Sequence, residues 1–106
     1  MVVLCGTDIV HISKIREKLN DDNLLKRFFH QSELTSDPNH LAGIIAAKEA
    51  FFKALGKIPK FLDIKISYEK SGRPFIVLPP NMKLASCDVS ISHDGDYAVA
   101  VVLLEK

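Results

Sequence analysis

Apolar residues recur at helical spacing through much of the first half of this chain and alternate in the second. A period of 3.6 predicts helices and a period of two predicts strands. The clearest helical stretch is Leu41–Leu55, where only Lys48, Glu49 and Lys53 are charged. At about 100° per residue, Leu41, Ile44, Ile45, Phe51, Phe52 and Leu55 gather on one face. Gly43, Ala46, Ala47, Ala50 and Ala54 gather opposite. A helix bulky on one side and small on the other is expected to be covered on both. Lys48 falls in the middle of the bulky face, and Glu49 and Lys53 lie one turn apart at its edge. Isolated buried charges are costly, so these need partners: a salt bridge, a metal or a ligand.

The flanking elements follow from the same pattern. Val2–Cys5 is a short β-branched run ending at Gly6 and predicts a strand. Ile9–Leu19, apolar at 9, 12, 15 and 19, predicts a helix, with Asp8 as its candidate cap. Asn20-Asp21-Asp22-Asn23 interrupts it, and Leu24–Phe29 predicts a second helical piece. Asp37 at the N-cap and Pro38 at the first position should open the long helix, and Gly56 should stop it. Phe61–Tyr68, Phe75–Leu78, Val89–Ser92 and Tyr97–Leu104 predict strands, with Asp94-Gly95 marking a hairpin. Helices first and an antiparallel meander after them mean an α+β fold, expected as one domain over residues 1–106.

A net charge of +1 argues against a general nucleic-acid binder. The charge is uneven: Lys14, Arg16, Lys18, Lys26 and Arg27 cluster in the first quarter. This is either a solvated helix face or a docking surface for an acidic partner. Cys5 and Cys87 are too few and too far apart for a metal motif and read as small buried thiols in a reducing compartment. No stretch reaches membrane-spanning length and no secretory leader pattern opens the chain, so the expected location is the cytoplasm.

Two carboxylates with several open positions suit magnesium, which keeps waters or phosphate oxygens in its shell; Asp8 and Glu49 are the candidates. Lys53 follows Glu49 by one turn, as a routine ion pair or as a group that neutralises phosphate. Lys48 either snorkels past the apolar face or meets a phosphate. Ser92 and His93 are neighbours on a strand and point to opposite faces, so they are not a nucleophile–base pair.

The runs Gly6-Thr7-Asp8-Ile9-Val10, Ala46-Ala47-Lys48-Glu49-Ala50-Phe51-Phe52-Lys53-Ala54-Leu55-Gly56 and Ser90-Ile91-Ser92-His93, in this order, resemble the holo-acyl-carrier-protein synthases. These are the short 4′-phosphopantetheinyl transferases. Gly72, Pro74 and Leu78 match a further hairpin motif, with Arg73 for the usual lysine. The resemblance covers nearly the whole chain. It implies transfer of the phosphopantetheine arm of coenzyme A to a serine of an apo acyl carrier protein, releasing adenosine 3′,5′-bisphosphate, as in fatty acid biosynthesis. It also implies a homotrimer with active sites between subunits. Carried over by position, Asp8 and Glu49 would hold Mg2+, and Lys53 would stabilise phosphate or assist proton transfer. Lys48, Gly56, Ser92 and His93 would join Lys53 in binding coenzyme A. Lys14, helped by Arg27, would dock the carrier. The serine proton would leave to Glu49 or to a metal-bound water.

Three positions depart from the family pattern. His11 replaces an acidic residue, Ile44 replaces an arginine, and Gly56-Lys57-Ile58-Pro59-Lys60 is short and lacks the usual Gly-x-Gly. Lys57 and Lys60 are candidate replacements for lost phosphate contacts. A second reading therefore stands beside catalysis: a family member that binds coenzyme A or a carrier without turnover. A magnesium-dependent phosphohydrolase lacks further acidic ligands in a recognisable motif.

Overall fold

The computed structural model describes residues 1–57 and 59–106. Ile58, part of the shortened loop, lies outside the described residues. Strand β1 (Val3–His11) leads into helices α1 (Ile12–Arg16) and α2 (Asp22–Phe28), a 3-10 turn (Gln31–Glu33) and the long helix α3 (Pro38–Leu55). A second 3-10 turn (Phe61–Asp63) precedes β2 (Lys65–Tyr68), β3 (Pro74–Val77), β4 (Ser86–Asp94) and β5 (Tyr97–Glu105). The α+β class holds. The later strands are antiparallel as expected, but they form two hairpins in separate sheets. One sheet has the order β1-β5-β4, and β2-β3 forms the other.

The chain's first strand is longer than expected. It runs through Asp8 to His11 and pairs along its whole length with β5, from Val3 with Glu105 to His11 with Tyr97. Positions 9 and 12 match helical spacing, but Ile9 continues a period of two and is 61% exposed on the sheet's outer face. Asp8 is therefore mid-strand, not a helix cap. The cap of α1 is His11, whose Nδ1 accepts from the Ser13 backbone N–H at 3.3 Å and lies 2.7 Å from Ser13 Oγ. This gives the first departing residue a structural task. Strand β2 starts later than its pattern suggested. Asp63 Oδ2 accepts from Lys60 N at 3.0 Å, and the Asp63 N–H bonds back to Lys60 O at 2.9 Å. A side chain competing for the backbone in this way turns Phe61–Asp63 out of the ladder.

Helix α3 begins and ends as its sequence dictates. Asp37 caps the Asn39 N–H at 2.9 Å, and Gly56 stops the helix in the left-handed region at φ 77°, where a Cβ is unfavourable. Between β4 and β5, Gly95 takes φ 57°, whereas Asp96, like every described non-glycine residue, does not have positive φ. The connection is thus of the II′ kind, with glycine at the first central position. The small face of α3 lies on β1 and β5, and its bulky face packs under α1, α2 and the second 3-10 turn. There Phe61 makes edge contacts with Phe28 and Phe52 at 4.8 and 5.3 Å. Both flanks of the helix are covered within one subunit, so its two apolar faces do not by themselves demand partners. Cys87 is half-buried, and burial, then Asp88, pushes its thiol up to about 11. Cys5 is exposed on the outer sheet face, contrary to its reading as a buried thiol.

Candidate active site

Asp8 and Glu49 are 41 positions apart in the sequence, yet they meet where β1 crosses the second half of α3. Within β1, side chains alternate between faces, so Asp8 shares the helix side of the sheet with Gly6 and Val10, both buried. On α3, Glu49 and Lys53 lie one turn apart along the edge of the helix nearest to this strand. Lys53 Nζ donates to Asp8 Oδ1 and to the Thr7 carbonyl oxygen, both at 3.1 Å. The Lys53 side chain is 61% exposed and that of Asp8 only 11%. Asp8 Oδ2 is buried and has no hydrogen-bond partner.

Glu49 carries the matching signature. Burial, and then the neighbouring Asp8 carboxylate, push its pKa up to about 7, while Lys53 and Lys14 pull it down. Two carboxylates packed together cannot both ionise without cost. An orphaned buried oxygen beside such a pair is the donor set that a hard cation satisfies. Among the described residues no third histidine, cysteine or acidic side chain completes a metal-binding group with them. A cation held here would keep open positions for water or phosphate oxygens.

Beside Glu49 lies a cleft of about 280 Å³, walled by Lys14, Lys18, His11 and the apolar Ile15, Phe28 and Phe61. Lys14 is thus both exposed on α1 and adjacent to the carboxylates. Arg27 is exposed on the last turn of α2. Gly56 lies just beyond the last turn of α3, three residues past Lys53, and is exposed.

The expectation that Lys48 meets a phosphate is corrected. Lys48 is fully buried, and its Nζ donates to Glu33 Oε1 at 2.8 Å and to the Phe28 carbonyl at 2.7 Å. Burial pulls its pKa down while Glu33 holds it up. Its ammonium is engaged inside the fold, away from solvent. Glu33, which the sequence reading passed over, also accepts from the backbone N–H groups of His30 and Ile66. One sequence signal existed: Glu33 is the sole acidic residue between Asp22 and Asp37, hence the near candidate for a lysine buried in the next helix.

His93 is not brought to the carboxylates within one chain. It pairs with Ala98, which pairs with Val10, so it lies two strands away, about 10 Å at ordinary strand spacing. It lines a different cleft of about 200 Å³ with Asn39, His40, Gly43 and Tyr68. Ser92 pairs with Val99 and faces the outer side of the sheet.

The sequence pattern of the 4′-phosphopantetheinyl transferase superfamily matches residues 4–102. The holo-[acyl-carrier-protein] synthase of Nautilia profundicola is 45% identical over 97% of this chain and 100% of its own length. The crystal structure of the Helicobacter pylori holo-[acyl-carrier-protein] synthase in complex with coenzyme A superposes with a TM-score of 0.89. It is 36% identical and covers 96% of this chain and 100% of that one. The Bacillus anthracis synthase, solved in complex with CoA (3′,5′-ADP), gives a TM-score of 0.84 at 31% identity, covering 96% of this chain and 95% of its own.

Proposed function

The chain belongs to the 4′-phosphopantetheinyl transferase superfamily, as an enzyme of the holo-[acyl-carrier-protein] synthase type, and from that premise we propose how its own residues act. The protein moves phosphopantetheine from coenzyme A to a serine of an apo acyl carrier protein and releases adenosine 3′,5′-bisphosphate, with residues 1–106 acting as one transferase domain. The observation that carries this is the convergence of Asp8, Glu49 and Lys53, with Asp8 Oδ2 buried and unpaired. Asp8 and Glu49 would hold magnesium, which when bound offsets charge on the diphosphate.

The serine oxygen forms a bond to the phosphorus bearing the pantetheine arm, and that phosphorus loses its bond to the bridging oxygen of the diphosphate. Lys53, largely exposed, turns from Asp8 to the developing phosphate charge. Glu49, or a water held with the metal, would take the serine proton. Gly56, with Lys57 and Lys60 beyond it, would approach the coenzyme past the end of α3. Lys14 and Arg27 present the basic face on which an acidic carrier protein docks, with its serine entering beside Glu49. Two free cysteines suit a reducing cytoplasm.

A homotrimer completes the site. The outer face of the β1-β5-β4 sheet exposes Ile9, Val101 and Leu103 at 61%, 40% and 48%, apolar surface of the kind that subunits cover. Ser92 and His93 stand apart from their own chain's carboxylates and would serve a neighbour's site. Mass spectrometry tests the reaction: an apo carrier protein incubated with this protein, coenzyme A and magnesium should gain one phosphopantetheine. An unchanged carrier mass, with coenzyme A still bound, would establish the non-catalytic alternative. Sedimentation equilibrium should give three times the subunit mass, and a monomer at micromolar concentration would remove the shared site.

A further inference from the structure

Gly6 sits where the backbone of β1 passes directly against the backbone of α3. A Cβ built there would fall inside the contact radius of the Ala50 carbonyl oxygen. It would also lie 2.7 Å from the Ala54 nitrogen and 3.0 Å from the Ala50 carbonyl carbon. All three atoms are backbone, so no side-chain rotation can make room. Ala50 follows Glu49 and Ala54 follows Lys53, and Gly6 precedes Asp8 by two residues on the same strand face. A glycine inside a strand weakens it and marks a close backbone approach. The only other glycine so crowded, Gly43, would meet just the Ile91 side-chain methyl, at 2.9 Å.

We propose that Gly6 is a positioning residue: its missing side chain sets the gap across which Asp8 faces Glu49 and Lys53. This rests on the reading that Asp8 and Glu49 share a divalent cation. Ordinary contact needs about 3.5 Å, so a methyl at Gly6 forces the strand and helix apart by roughly 1 Å. Asp8 moves with its strand. A cation held by both elements tolerates only about 0.2 Å in its ligand distances, so the same shift takes one carboxylate out of range. The gap admits an aspartate and not the longer glutamate, which reaches about 1.5 Å further along one more C–C bond.

The test is Mn2+ binding followed by electron paramagnetic resonance on the full chain, with circular dichroism as the check on folding. Gly6→Ala should lower Mn2+ affinity at least tenfold, whereas Gly43→Ala should change it less than twofold. Asp8→Glu should weaken binding in the native background and strengthen it in the Gly6→Ala background. That reversal of sign is not expected of a glycine that matters for packing alone. Native affinity in a folded Gly6→Ala protein, or the same direction for Asp8→Glu in both backgrounds, overturns the proposal. If Gly6→Ala does not fold, Asp8→Glu in the native background decides: native affinity overturns the spacer role and a tenfold loss supports it. A native chain that binds no Mn2+ sinks the shared-cation reading itself, and the spacer role falls with it.

Discussion

Two lysines five residues apart on α3 each meet a carboxylate, and the two pairs are opposites. Lys48 and Glu33 are both fully buried, and Glu33 accepts from Lys48 and two backbone N–H groups. Lys53 is mostly exposed, and its partner Asp8 keeps one buried oxygen with no cationic or backbone donor, facing only the Glu49 carboxyl. The first pair is partnered on both sides and closed to solvent, so it can hold the fold together but is out of a ligand's reach. The second is unsaturated and open on one side, so it carries a cost in the empty protein that a ligand can relieve. Buried polar groups are nearly always paired, and the place where that rule fails is the place to look for chemistry.

Replacing the open site's carboxylates should have the largest effect. Asp8→Asn and Glu49→Gln are each expected to slow transfer by on the order of 10³-fold or more, the scale of losing a group that stabilises transition-state charge. Neither should unfold the protein. Glu49→Gln should raise the melting temperature of the metal-free chain slightly, because it removes a like-charge neighbour. A melting temperature that falls sharply would mean that this pair, too, is structural.

The closed pair should answer in the opposite way. Lys48→Met leaves Glu33 buried without its counter-charge, a change that typically costs about 3–5 kcal/mol. Chemical denaturation should show that loss, while the folded fraction at low temperature keeps its turnover per active site. Lys48→Met combined with Glu33→Gln should recover part of the stability, since the amide oxygen still accepts one backbone N–H. A Lys48→Met protein with native stability and lost coenzyme A affinity would reverse the assignment of Lys48.

What the sequence made legible follows the range of the interactions. Helix α3, its Asp37-Pro38 start and its Gly56 stop are local and were readable from spacing and caps alone. So was the need of Lys48 for a partner, though not that the partner is Glu33, because that pairing depends on how a 3-10 turn folds back on the helix. Spacing understates the length of β1, because Ile9 fits a helical period by coincidence and only pairing with β5 settles its face. The meeting of Asp8 and Glu49 was implied by family resemblance and by nothing in their 41-residue separation. The separation of His93 from that pair depends on strand order, which spacing does not carry.

A smaller effect separates the two pairs by pH. The Glu49 pKa is raised to about 7 in the fold, above the ordinary value of about 4.3 for an unfolded chain. Between these values the folded protein holds a proton that the unfolded chain has lost, so stability falls as pH rises through that window. The metal-free protein should therefore melt lower at pH 8 than at pH 5 by this contribution. Added magnesium should restore more at pH 8 than at pH 5, because a cation must displace that proton. Thermal melts at the two pH values, with and without magnesium, measure both terms. In the Glu49→Gln variant the window should disappear, while Lys48→Met should leave it in place.

The smallest expected effect concerns the rim of the open site. Lys14 is exposed on α1, lines the cleft beside Glu49 and lowers that residue's pKa, so it is within reach of either substrate. For the acidic carrier proposed above, a charge at the edge of the interface acts mainly on encounter. Lys14→Glu should raise the carrier KM by about tenfold at low salt and leave coenzyme A affinity nearly unchanged. The difference from native should shrink as ionic strength approaches 1 M, where the screening length falls to about 3 Å. Arg27→Glu, further from the carboxylates on α2, should show a weaker version of the same salt dependence. Steady-state kinetics with each substrate varied in turn separates the outcomes. If Lys14→Glu weakens coenzyme A instead and spares the carrier, the basic wall of the cleft belongs to the coenzyme, and the carrier surface must be sought elsewhere.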